Sequence, residues 1–214
     1  MKRTLDSEKE KYEFIHSTSE EYGEVTFRYN HFKKEHSVFS QFGESFVNEV
    51  SSATRILDVG CGKGGFIRFF NSRESKDFSC FWGLDISSKA LGFCPKDCTL
   101  TQGSITDLPF EDNFFDVVYF FDGMEHIPRE WEQKAFYELV RVSRNKVFLM
   151  IDTKSTKEDR RMESLSKDIV HINLRPHSDW IQWIKSQENK LGVHLLLDSR
   201  YKSTSMFEIH VNQG

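Results

Sequence analysis

An apolar strand that ends in an acid and runs directly into a glycine-rich turn leaves few folds open to this chain. The stretch is Arg55-Ile56-Leu57-Asp58-Val59-Gly60-Cys61-Gly62-Lys63-Gly64-Gly65-Phe66, and a new apolar helix pattern begins at its end. Glycines there tolerate positive φ and carry no Cβ, so backbone can come close to a bound nucleotide-like molecule. Downstream, apolar runs with strand character stand at 55–59, 81–85, 99–102, 116–121 and 146–152, and again at 193–199 and 205–212. Helical spacing reads at 65–73, 87–93, 131–143 and 178–190. Such alternation predicts an α/β fold with a mostly parallel sheet covered by helices on both faces. The last two strands are close enough in sequence to pair as an antiparallel hairpin.

Before the first strand, Phe39, Phe42, Phe46 and Val50 recur at helical intervals, predicting an amphipathic helix within 31–50. Residues 1–30 are polar and charged, with scattered aromatics. The expected organisation is an N-terminal helical lid or cap over 1–50 and a cofactor-binding domain over 51–214. With 214 residues, 20 of them Phe, the chain has the means to bury a substantial core. A formal charge of −4 argues against a nucleic-acid partner, since phosphate contacts need a basic face. No apolar run approaches the roughly 20 residues that span a bilayer, and the N-terminus lacks a signal-peptide core. The four cysteines form no disulfide framework, so the expected compartment is the reducing cytoplasm.

Gly60, Gly62 and Gly65 satisfy G-x-G-x-x-G, a pattern shared by several nucleotide sites. A Walker loop is excluded because Lys63 is followed by Gly64 rather than Ser or Thr. Asp58 discriminates among the rest: a carboxylate is awkward beside a pyrophosphate but suits an ammonium, such as the methionine end of S-adenosylmethionine (SAM). Asp85 ends the second strand about 20 residues after the loop, where a ribose hydroxyl pair would lie. Gln102-Gly103-Ser104-Ile105-Thr106-Asp107-Leu108-Pro109-Phe110 then offers small polar groups for an adenine edge and Ile105 for its face.

This order of motifs resembles the class I SAM-dependent methyltransferases. It is similar to the group that reads D-x-G-C-G-x-G, then D-x-S, then D-L-P-F, then F-D-x-V with E-H-I following, here over about 55–153. The resemblance implies a Rossmann-like seven-stranded sheet with a reversed last strand. It also implies that Asp58, Gly60 and Gly62 hold the methionine portion, Asp85 the ribose, Ile86 the adenine flank, and Ser104 with Ile105 the adenine ring. Phe121 would lie near the cofactor. One departure is visible, since that group often carries a small or polar residue where Phe120 and Phe121 stand.

For the acceptor side, His126 follows the fourth strand, and its pKa range suits a general base. His171 lies in the long 153–178 connection, whose length marks it as a second candidate. The histidine, proline and tryptophan-helix pattern there loosely resembles small-molecule and sugar methyltransferases. Simpler roles are expected elsewhere. Trp180, Ile181, Trp183 and Ile184 read as the core side of a helix capped by Ser178. Lys157–Arg161 reads as a solvated face, and Cys94-x-x-x-Cys98 lacks ordinary zinc spacing, so no metal site is expected. The expected function is methyl transfer from SAM to an oxygen or nitrogen of a small polar metabolite. A protein or RNA methyltransferase and a non-catalytic SAM-binding scaffold are the alternatives. The oligomeric state is not legible in the sequence.

Overall fold

A computed structural model describes residues 9–10, 37–153, 172–201 and 204–212. Seven strands form one sheet: β1 Ile56–Val59, β2 Phe81–Asp85, β3 Thr99–Gln102, β4 Phe115–Phe121, β5 Ser143–Asp152, β6 Val193–Tyr201 and β7 Thr204–Val211. Their order across the sheet is β3-β2-β1-β4-β5-β7-β6. The first five pair in parallel, and β7 runs antiparallel between β5 and β6. The Rossmann-like α/β architecture and the antiparallel C-terminal pair therefore stand as expected. Strand order reverses direction between β1 and β4, and ligands of open α/β sheets bind in the crevice outside the strand ends at such a point.

The helices are α1 Ser37–Ser52, α2 Gly65–Glu74, the single-turn α3 Ser88–Leu91, α4 Arg129–Val142 and α5 His177–Leu191. On one face, α1 and α2 cover Ile56, Val117, Tyr119, Phe121 and Phe148. On the other, α4 and α5 cover Leu57, Val59, Val118, Phe120 and Leu149. Period-two alternation along β1 and β4 thus feeds two apolar layers, which is why both strands read as continuous apolar runs. The abundance of Phe has a location. Phe42, Phe46, Phe70, Phe81 and Phe148 are fully buried on the α1/α2 face. Their rings meet edge-on or tilted around Tyr119 and Phe121. Each such burial contributes about 1.5–3 kcal/mol.

Phe42, Phe46 and Val50 form the buried stripe of α1, at the expected helical interval. Polar contacts fix this helix to the sheet. Ser45 Oγ donates to Glu208 Oε2 (2.7 Å), and Lys146 Nζ bridges Glu49 (2.7 Å) and Glu208 (2.6 Å). The boundary expected at residue 50 falls inside α1, which covers the sheet; residues 1–8 and 11–36, which would carry the rest of a lid, lie outside the described residues.

α5 differs in its entry from the expectation. Pro176 stands at the N-cap, the helix starts at His177, and Ser178 Oγ donates to Asp179 rather than capping. Proline cannot continue a chain of helical N–H donors, but its fixed φ suits a helix entrance. Gly192 ends α5 at φ +63°, its N–H closing on Glu188 O, the left-handed stop that glycine makes without strain. Trp180 and Ile184 are buried in the core, as their spacing predicts.

Candidate functional site

The glycine turn sits at the carboxyl end of β1, at the reversal between β1 and β4. Gly60, Gly62 and Gly64 all have positive φ (+67°, +53° and +75°). A Cβ on Gly62 would meet nothing within 4 Å, so the turn borders open space there. Gly60 N and Cys61 N both donate to Leu84 O, which ties the turn to β2. At the end of β2, Asp85 is buried and holds two backbone donors, Gly62 N on Oδ2 (2.9 Å) and Ser87 N on Oδ1 (2.8 Å). One carboxylate therefore organises both the glycine turn and the start of α3. Ser87 Oγ completes the entry by accepting from Ala90 N (3.2 Å).

Asp58 stands in register with Gly83 on one side and Tyr119 on the other. It is 4% exposed, and its Oδ2 has no hydrogen-bond partner among the described residues. Burial pushes its carboxyl well above the usual range, and the neighbouring Tyr119 hydroxyl offsets only part of that. A cation placed against the unpartnered oxygen would favour the charged carboxylate and offset that burial.

On the β2–β3 side, Ile86 is half-buried, and Gln102 Nε2 donates to its carbonyl (2.9 Å). Ser104 Oγ engages Thr106 (2.9 Å to Oγ1), and Ile105 is buried against the α4/α5 layer. The 104–110 loop is clamped from behind by α4. Glu138 Oε2 accepts from Leu108 N (2.7 Å), while Arg141 donates to Leu108 O (2.8 Å) and Phe110 O (2.7 Å). Arg141 also pairs with Glu138 and Asp112 at 2.7 Å each.

At the exit of β4, Phe121 is buried between the sheet and α2, with the Phe66 ring 5.1 Å away. Asp122 adopts a left-handed φ of +50°, and its N–H donates to Met150 O (2.8 Å). His126 is half-buried in the short 3-10 turn Met124–His126. Beside it, Asp122, Glu125 and Asp152 bring carboxylate oxygens within 4.8 Å of one another, a grouping that would suit a cation or a hydrogen-donating acceptor. Asp152 N donates to Glu125 Oε1 (3.2 Å). His171 lies outside the described residues.

Residues 56–146 match the family model described as a methyltransferase domain. That match carries the likeness to the class I SAM-dependent methyltransferases, and the fold agrees with it. Among curated relatives, the fatty-acid O-methyltransferase of Mycolicibacterium smegmatis is 34% identical over 80 residues, covering 35% of this chain and 28% of the relative. The chain spans 15 to 39% of the length of the curated relatives it matches. Solved structures share the fold, among them two methyltransferases. A putative methyltransferase in complex with the Trm112 activator, from Haloferax volcanii, aligns over all of both chains at TM-score 0.66 and 12% identity. Magnesium protoporphyrin IX methyltransferase from Synechocystis, with bound SAH, aligns over 89% of this chain and 96% of that one at TM-score 0.57 and 14% identity.

The residues around the glycine turn fit SAM on their own chemistry. The unpartnered Asp58 oxygen suits the ammonium, and the open side of Gly62 admits a ligand against bare backbone. Sequence reasoning missed three contributors. Phe120 packs its ring across the strand ends: a Cβ on Gly60 would come 3.1 Å from that ring, and one on Gly123 only 2.0 Å. Gly123 is thus required by space, and no periodicity signals that. The Glu138–Arg141 clamp on the 104–110 loop is equally silent in sequence, although an acid and a base three residues apart on one helix face are a weak pointer. Cys61 and Cys94 meet behind the glycine turn, the third contact without a sequence signal.

Proposed function

We propose that this chain moves the methyl group of SAM to an oxygen or nitrogen of a small polar metabolite, a sugar or natural-product intermediate being the kind of acceptor in view. The observation that carries the reading is the pair of buried acids around the glycine turn, Asp58 with an unpartnered oxygen and Asp85 bonded to Gly62 N. Bound SAM would supply an already activated methyl on a sulfonium, so the protein's task is to orient the acceptor and exclude water. Asp58 would receive the ammonium, with Gly60 and Gly62 admitting the chain of the methionine portion. Asp85 would accept from the ribose hydroxyls, Ile86 would flank the adenine, and Ser104 with Ile105 would border its ring. Phe121 would lie beneath the reacting end. His126 would take the acceptor's proton where the acceptor is a hydroxyl, and His171 is the second candidate for that task.

A polar acceptor is supported by the carboxylates at the exits of β4 and β5, which favour hydrogen donors over an acyl chain. The net charge of −4 weighs against RNA. Among the described residues no helix is long and apolar enough to cross a membrane. All four cysteines are free thiols, in keeping with a reducing compartment such as the cytoplasm. Of the expected 1–50 lid, the part before α1 is proposed to order over the bound cofactor, while α1 stays fixed on the SAM-binding domain that residues 51–214 continue. Incubation with methyl-labelled SAM and, separately, a metabolite extract, total RNA and total protein tests the acceptor class. Label in the metabolite fraction is expected. Label confined to RNA or protein would replace this reading with a macromolecular one, and the absence of transfer from bound SAM would favour a scaffold.

A further inference from the structure

Two thiols converge on the back of the glycine turn. Cys61 Sγ lies 3.9 Å and Cys94 Sγ 3.3 Å from the same oxygen, the Gly62 carbonyl. The pair is wedged between elements. A Cβ on Gly83 of β2 would come 2.9 Å from Cys61 Sγ, and one on Gly64 would come 3.1 Å from Cys94 Sγ. Both residues are 6% exposed, yet the turn they support borders open space at Gly62, and Phe93, next to Cys94, is 56% exposed.

The two thiols are not equivalent. The hydrogen bond from Cys61 holds the Cys94 thiol below the ordinary range in spite of burial, and the charge of Arg68 adds to this. The same contact, with burial and the nearby Asp58, pushes Cys61 up. Such asymmetry divides a dithiol into an attacking sulfur and a resolving one.

We propose that Cys61 and Cys94 form an oxidative modification site, at which a hydroperoxide converts the pair to a disulfide that deforms the glycine turn and weakens SAM binding. The Cys94 thiolate attacks one peroxide oxygen and the O–O bond breaks, giving a sulfenic acid and, after protonation, water. The Cys61 sulfur then attacks the sulfenic sulfur; the S–S bond forms, the S–O bond breaks, and the departing hydroxide leaves with the Cys61 proton as a second water. Two thiols and one hydrogen peroxide give one disulfide and two waters, with two electrons passing from sulfur to peroxide. The consequence for the crevice is local. Drawing the sulfurs to bonding distance removes both thiol protons from beside Gly62 O and pulls the turn toward Cys94, and Gly62 N is the donor that orients Asp85. The effect on binding rests on reading this crevice as the SAM site; the disulfide does not.

The test treats the reduced full chain with stoichiometric hydrogen peroxide. Peptide mapping by mass spectrometry without reductant follows, and calorimetry with SAM is run before and after, and again after dithiothreitol. The expected result is a peptide joining Cys61 to Cys94, SAM affinity at least tenfold weaker, and full recovery on reduction. Cys94→Ser should keep its affinity under peroxide, while Cys98→Ser should still switch. Linkage through Cys80 or Cys98, no linkage, or a Cys61–Cys94 disulfide with unchanged affinity would overturn the proposal. If the reduced wild type does not bind SAM, the crevice reading falls and the claimed effect on binding falls with it, while mapping still decides whether the thiols pair.

Discussion

Replacing Asp85 with Asn removes a charge and also one acceptor, and the structure says what each loss costs. Both carboxylate oxygens accept backbone N–H groups, Gly62 on one and Ser87 on the other. Asn has a single acceptor oxygen, so one of these buried donors must face an NH2 group instead. Leaving a buried donor unsatisfied costs about 1–3 kcal/mol. In a chain of this length that lowers Tm by roughly 2–12 °C. The loss to the ligand is separate. Hydrogen bonds to a charged group contribute about 1.5–3 kcal/mol, so SAM affinity should fall roughly 10- to 150-fold. Thermal unfolding without ligand reads the first quantity, and calorimetry with SAM, at a temperature where the variant is folded, reads the second. Lower stability with unchanged SAM affinity would refute the ribose role and reduce Asp85 to a structural clamp.

Three further outcomes follow from the same geometry. Asp58 has a folded-state pKa raised by burial, so between the ordinary Asp value near 4 and that raised value the native state binds the extra proton. Stability from this group is therefore full at low pH and declines as pH rises through that window; Asp58→Asn should raise Tm above wild type at pH 8 while weakening SAM binding, and a lowered Tm there would contradict the sign. Glu138 is the opposite case: burial alone would raise its pKa, but hydrogen bonds from Arg141 and Leu108 N, with the Arg141 charge, hold it below the ordinary range. Its contribution is present above the ordinary Glu value and lost as pH falls through the folded one, so Glu138→Gln should flatten the acid limb of a stability profile measured by urea unfolding, and an unchanged limb would remove this clamp from the account. Gly123→Ala places a methyl 2.0 Å from the Phe120 ring and should cost about 1–3 kcal/mol, with Phe120→Leu in the same chain recovering part of it; additive effects of the two changes would refute the contact.

Much of the fold was legible because period-two apolar runs and helical stripes alternate along the chain, and each of the seven strands overlaps the run its pattern marks, with β5 starting three residues earlier than expected. The placement of the two acids beside the glycine turn was legible for a related reason. Asp58 and Asp85 each occupy the end of a parallel strand, and in a parallel sheet the ends of adjacent strands lie together. What escaped is what spacing cannot encode. Phe120 reaches Gly60 from the neighbouring strand, Arg141 reaches back to the Leu108 and Phe110 carbonyls, and Cys94 meets Cys61 from a distant loop; all three are contacts of tertiary packing. The cap of α5 was misread by two residues because Ser178 looks like a cap, whereas Pro176 already stands at the helix entrance. α1 showed its apolar stripe in sequence, but nothing there indicated that Glu49 and Ser45 would join Lys146 and Glu208 to fix it on the sheet.

The central claim is that the crevice between β1, β2 and β4 holds SAM through Asp58 and Asp85. Titration calorimetry of the reduced wild-type chain with SAM tests it most directly. The expected result is a one-to-one isotherm with Kd well below 1 mM, a binding free energy more favourable than about −4 kcal/mol. At pH values between the ordinary Asp value and the raised one, binding repeated in buffers of different ionisation enthalpy should release protons, since the ammonium favours the charged form of Asp58. A flat titration at millimolar SAM would contradict the account.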